Sequence, residues 1–174
     1  DAGVDAVVIA GDIAQHGLGP ELAEVGKAWY EIFPDDRAPD GRKVERVFVT
    51  GNHDNGAGRA KRIYSDKKVM KDNLISLNYQ KWWDEVFHEE WKSSFMKTVK
   101  GYSFAGFNWM IGDCRGKDEK FNAEIADWYA KNGRLLDPSR PFFHIQHPHP
   151  KGTVHGPNVW GQDNGMSTKA LMAH

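Results

Sequence analysis

Apolar positions along this 174-residue chain fall into two kinds of stretch. Ala6-Val7-Val8-Ile9-Ala10 and Val44-Glu45-Arg46-Val47-Phe48-Val49-Thr50 are short runs rich in β-branched and aliphatic residues, the signature of buried strands. Between them Leu22, Val25, Trp29 and Ile32 recur at spacings of three and four, which predicts an amphipathic helix over residues 20–33. Pro34 stops it, and Asp35-Asp36-Arg37-Ala38-Pro39-Asp40-Gly41 reads as a solvated turn region. Strand, helix, strand in that order favours a parallel pair joined by a crossover helix.

Further along, Trp83, Phe87 and Trp91 fall at successive spacings of four, with Trp82 and Val86 widening the stripe, so residues 78–93 read as a second helix. Gly101-Tyr102-Ser103-Phe104-Ala105 and Phe107-Asn108-Trp109-Met110-Ile111 read as two short strands of an antiparallel hairpin around Gly106. A third helix is expected over residues 119–131, with Phe121, Ile125, Trp128 and Tyr129 on its buried side. Pro138 and Pro141 frame a turn before the strand Phe142-Phe143-His144-Ile145-Gln146, and the segment from Ser167 resembles the start of another helix. The mixture is α/β, with a partly antiparallel sheet and no internal repeat.

Composition narrows the function classes. With 23 basic and 24 acidic residues, a net charge of −1 offers no nucleic-acid-binding signature. No run approaches the roughly 18 consecutive apolar residues of a membrane span. Cys114 is the single cysteine, which excludes a disulfide within the chain and reads as a small buried hydrophobe. From Gly56 to Lys71 the chain is basic and reads as an excursion over the surface. Arg59, Lys61, Arg62, Lys67, Lys68 and Lys71 can attract an anionic substrate, but Asp66 and Asp72 interrupt the run and a solvated face explains it as well.

Three strand ends carry the chemistry. The first strand runs into Gly11-Asp12, the second into Gly51-Asn52-His53-Asp54, and Phe142 to Gln146 runs into His147-Pro148-His149-Pro150. A strand that ends at glycine can turn sharply and gather the polar residues beyond it at the sheet edge. Asp12 offers two oxygens that can bridge cations, Asn52 a neutral carbonyl oxygen, and His147 an imidazole nitrogen. A mixed nitrogen and oxygen set suits Fe, Mn or Zn. Prolines on either side of His149 stiffen its loop.

These residues resemble, in order and at spacings of 40 and 95 residues, three successive motifs of the calcineurin-like metallophosphoesterases. The tetrapeptide Gly51-Asn52-His53-Asp54 after a strand is the most specific of them, and the resemblance spans residues 6–150. It implies an αββα sandwich with mixed sheets, incomplete in this chain, whose loops hold a dinuclear centre of divalent or trivalent ions. Carried over, Asp12 is the bridging carboxylate, and Asn52 and His147 ligate the second metal. His53 contacts the phosphoester rather than a metal, and stabilises the transition state or protonates the leaving group. Asp54 orients the His53 ring. Metal-activated water, charge on the non-bridging oxygens and an imidazole acid are what phosphoester hydrolysis requires. The implied substrate is a phosphomonoester or a phosphodiester.

Two family motifs are absent from the chain: an Asp-x-His before Gly11-Asp12, and a Gly-His-x-His after His147. The expectation is therefore a single domain over residues 1–174, truncated at both ends and inactive or nearly so when isolated. His16 can line the substrate side or sit in a surface loop. His149 reads as loop packing, His155 as part of a loop that can cover substrate, His88 and His144 as structural or solvated, and Asp113 as a turn former. Two other function classes compete: a non-catalytic binding protein on the same scaffold, and a carbohydrate-binding module built on the seven tryptophans. The first is disfavoured by the intact Asn52-His53-Asp54; the second predicts exposed rings, where the helical spacing predicts buried ones.

Overall fold

The computed structural model describes residues 3–110 and 119–149. Strand β1 (Ala6–Ala10) pairs in parallel with β2 (Glu45–Val49), Ala6 opposite Glu45 and Ala10 opposite Val49. Helix α1 (Gly19–Ile32) makes the crossover that parallel pairing needs. Glu21, in its first turn, reaches back to accept the backbone N–H of His16 at 2.8 Å and of Leu18 at 3.3 Å, answering donors that a helix start leaves open. Short helices α2 (Ala57–Ala60) and α3 (Lys67–Asn73) follow β2, and then comes α4 (Tyr79–Phe87).

The second sheet is mixed. Strand β3 (Ser94–Val99) pairs antiparallel with β4 (Tyr102–Phe107), which pairs in parallel with β5 (Phe143–Gln146). Helix α5 (Glu119–Asn132) lies between β4 and β5 in the chain and packs on their sheet.

Burial defines the layers. Leu22 and Trp29 of α1, Phe48 of β2, and Trp83 and Phe87 of α4 form one core. Ala105 and Phe107 of β4 pack with Trp109 and with Phe121, Ile125 and Tyr129 of α5 in another. Val47 and Val49 alternate with Phe48, so they leave the opposite face of β2, and both are fully buried where β2 meets β3 and β4. Helix, sheet, sheet, helix is thus the order of layers, an α/β fold of the metallophosphoesterase kind. Buried rings dominate both cores, each contributing about 1.5–3 kcal/mol by leaving water. Among the described residues no helix is long and apolar enough to cross a membrane.

Three elements differ from the sequence reading. The hairpin lies earlier: its turn is Lys100-Gly101, both at positive φ, with Val99 opposite Tyr102. Gly106 sits inside β4, where any side chain would collide with the Phe95 ring, so this glycine marks a close approach and not a turn. Helix α4 stops at Phe87 because His88 turns left-handed (φ 53°) and its N–H returns to Asp84. Trp91 therefore leaves the helical stripe and stacks on Tyr79 at 4.5 Å. Nor is the basic stretch only a surface excursion, since Ala60 and Met70 are buried with Leu18 and Leu74. Expectations for Asp113, Cys114, His155 and the segment from Ser167 lie outside the described residues.

Candidate metal centre

Strands β1, β2 and β5 bring their C-terminal loops to one place. The His147 ring donates from Nδ1 to the carbonyl oxygen of Ala10 at 2.8 Å. A carbonyl only accepts, so Nδ1 carries a proton, and in the neutral ring Nε2 presents a lone pair. That nitrogen lies 2.9 Å from Asn52 Oδ1 and 3.3 Å from Asp12 Oδ1. With the ring neutral, nitrogen, amide oxygen and carboxylate oxygen all converge as electron-pair donors, an arrangement that a cation or a second ring proton satisfies.

The donor set fits a metal ion. Two ligands about 2.1 Å from one cation stand roughly 3.0–3.4 Å apart at right-angle to tetrahedral geometry, close to the separations here. The His147 ring is oriented through its other nitrogen by a backbone carbonyl, the usual outer partner of a ligating imidazole. Among the described residues no three His, Cys, Asp or Glu side chains form such a group. The third donor here is instead the Asn52 amide.

Backbone conformation makes the convergence possible. Gly11 (φ 92°) and Asp12 (φ 57°) are both left-handed, the second a conformation that aspartate tolerates better than most residues. A Cβ at Gly11 would run into the His147 ring, and one at Gly51 into the Asp12 carboxylate and the Asp12 amide nitrogen. Both glycines of the motifs are spaces into which a donor side chain fits. Asp12 Oδ1 also accepts the N–H of His53 at 2.9 Å, tying the first loop to the second.

His53 stands beside this group. Its Nδ1 donates to the carbonyl oxygen of Gln15 at 3.1 Å, and its Nε2 is 3.8 Å from Asp12 Oδ2. The ring's orienting partner is therefore Gln15, not Asp54 as expected from the sequence. Asp54 is fully buried and accepts three backbone amides: Gly51 at 2.6 Å, Ala14 at 2.7 Å and Ile13 at 3.3 Å. Its carboxylate fastens the two loops together. Burial pushes its pKa up, opposed by those three hydrogen bonds and reinforced by the charge of Asp12.

Beneath the second loop lies a network that the sequence reading missed. Thr50 donates its N–H to Asn108 Oδ1 and its hydroxyl to the Trp109 carbonyl, each at 2.7 Å. Asn55 donates to the carbonyls of Gly51 and Trp109. An asparagine flanked by Phe107 and Trp109 in an apolar run was the available signal. His16 joins the start of α1 rather than these three donors, with Nδ1 2.7 Å from Glu21 Oε1. His88 caps α4, and the loop over residues 151–164 lies outside the described residues.

The calcineurin-like phosphoesterase family profile matches residues 1–167. Comparison with curated proteins finds no match, and neither does comparison with solved structures. Matched over nearly its whole length by that profile, the chain belongs to the calcineurin-like phosphoesterases, a family of generally metal-dependent phosphoester hydrolases.

Proposed function

We propose that the protein hydrolyses a phosphomonoester or phosphodiester at a dinuclear metal centre to which Asp12, Asn52 and His147 contribute ligands. The observation that carries this reading is the His147 Nε2 lone pair facing Asn52 Oδ1 and Asp12 Oδ1 across about one cation's width. Iron, manganese and zinc all suit that donor set. When bound there, a cation supplies Lewis-acid polarisation of the phosphoryl oxygens and lowers the pKa of coordinated water.

The chain's own residues do the rest. Asp12 turns Oδ1 toward His147 and Oδ2 toward His53, so one carboxylate can serve two neighbouring positions. The His53 ring is held through Nδ1 by Gln15, which leaves Nε2 able to carry a proton toward the leaving oxygen. Asp54 fixes the spacing of the loops that carry these groups.

The test uses full-length protein stripped of metal, reloaded with Mn²⁺, Fe²⁺ or Zn²⁺, and assayed on p-nitrophenyl phosphate and its bis ester. The reading predicts metal-dependent release of nitrophenol from at least one of them. His53→Ala should lower kcat by about 10²–10⁴-fold while keeping bound metal. Asp12→Ala should lose metal. Bound metal without hydrolysis of either ester would instead support a binding protein on this scaffold.

A further inference from the structure

His144 faces away from the donor group, on β5, yet it stands in a chain of hydrogen bonds that ends beside His147. Tyr129 Oη on α5 lies 2.8 Å from His144 Nδ1. His144 Nε2 lies 2.7 Å from Gln146 Oε1, and Gln146 Nε2 donates to the carbonyl oxygen of Pro148. Gln146 and Pro148 are the two neighbours of His147.

The direction of every proton in this chain follows from its last member. The Pro148 carbonyl can only accept, so the amide nitrogen of Gln146 faces it and the amide oxygen faces His144. That oxygen must receive a proton, which places it on His144 Nε2. A neutral ring then has its lone pair on Nδ1, and the Tyr129 hydroxyl donates to it. Burial favours this neutral ring, holding the His144 imidazole below its ordinary pKa against the hydrogen bond to Gln146. The ring itself is clamped, stacked on Phe107 at 4.7 Å and on Tyr129 at 5.9 Å.

We propose that Tyr129, His144 and Gln146 are positioning residues for His147. The Gln146 side chain bridges over His147 to Pro148 and pins the backbone on both sides of it, and the buried His144–Tyr129 pair fixes the Gln146 amide. With its backbone held and Nδ1 given to Ala10, the His147 ring keeps Nε2 aimed at Asn52 and Asp12. The proposal rests on the reading of His147 as a metal ligand and deepens it: part of the affinity for the ion is set by α5, a helix that contributes no donor.

The experiment has two readouts on full-length protein. In metal-free protein, long-range ¹H–¹⁵N correlation spectra should show His144 as the Nε2–H tautomer; an Nδ1–H ring or an averaged pair of tautomers overturns the relay. Titration with Mn²⁺ should then give about tenfold weaker binding for Tyr129→Phe and for His144→Leu, the lower end of what partners outside the ligand shell contribute. His144→Gln keeps a donor toward Gln146 and should recover part of that loss, which a purely space-filling role for His144 would not show. Unchanged Mn²⁺ affinity in all three variants overturns the positioning role. Should the unsubstituted protein bind no Mn²⁺ while His144 still shows the Nε2–H tautomer, the ligand reading has failed and the positioning claim falls with it, although the relay stands.

Discussion

Across 95 residues of chain, His147 Nε2 lies 2.9 Å from Asn52 Oδ1, and in the neutral Nδ1–H ring both atoms are acceptors. Two lone pairs make no hydrogen bond with each other. With Nδ1 given to Ala10, the pair is satisfied by an added positive charge, either a second ring proton or a metal ion.

Gly51 tests how tightly that site is packed. Gly51→Ala puts a methyl group into the Asp12 carboxylate and its amide nitrogen. Overpacking of this kind costs roughly 1–3 kcal/mol in stability. The expected signature is a larger effect on Mn²⁺ affinity, more than tenfold, because Asp12 must turn away. Calorimetric titration checks it, and an unchanged affinity would mean that Asp12 is not a ligand.

Asp54 separates a clamp from a ring-orienting residue. Asp54→Ala leaves three backbone amides without an acceptor and should destabilise the protein by roughly 2–4 kcal/mol. Asp54→Asn should also destabilise, since its NH₂ group must face a backbone N–H. Chemical denaturation measures both. Full stability in both variants, with turnover alone reduced, would place Asp54 behind His53 after all.

His144 gives the folded protein a pH dependence. Its pKa lies below the ordinary histidine value of about 6.5 because the ring is buried. As pH falls through that ordinary value the unfolded chain takes up a proton, and the folded protein does so only at lower pH. More protons on the unfolded state means that stability declines as pH falls across this window and rises again with pH. Denaturation of the native protein and of His144→Gln at several pH values should show the difference between them shrinking as the solution is acidified. A difference independent of pH would contradict a buried neutral ring.

Trp29, Trp83 and Trp109 are buried in the two cores. Trp82, Trp91 and Trp128 are half-buried, so the emission should be blue-shifted with a fraction that iodide cannot quench, and addition of mono- or oligosaccharides should change neither. Emission that quenches readily and responds to sugar would revive the carbohydrate-binding class.

What could be read from the sequence is what local pattern controls. Strands β1, β2 and β5 announce themselves by apolar runs, and each ends at residues whose only chemical use is polar, so the meeting of Asp12, Asn52 and His147 followed from strand ends alone. The role of Asp54 did not, because its three partners are main-chain amides that no side-chain motif encodes. The hairpin was misplaced because glycine has two uses, and only packing against Phe95 tells a close approach from a turn. The Tyr129–His144 pair joins a helix to a strand, and its spacing of 15 residues carries no periodic signal.

Mn²⁺ affinity in Asn52→Ala, His147→Ala and the double variant tests the shared cation most directly. If both side chains hold one ion, each single substitution weakens binding at least tenfold, and the double variant loses far less than the two losses combined. Losses that simply add, or a substitution without effect, would show that these two side chains do not meet on a common metal.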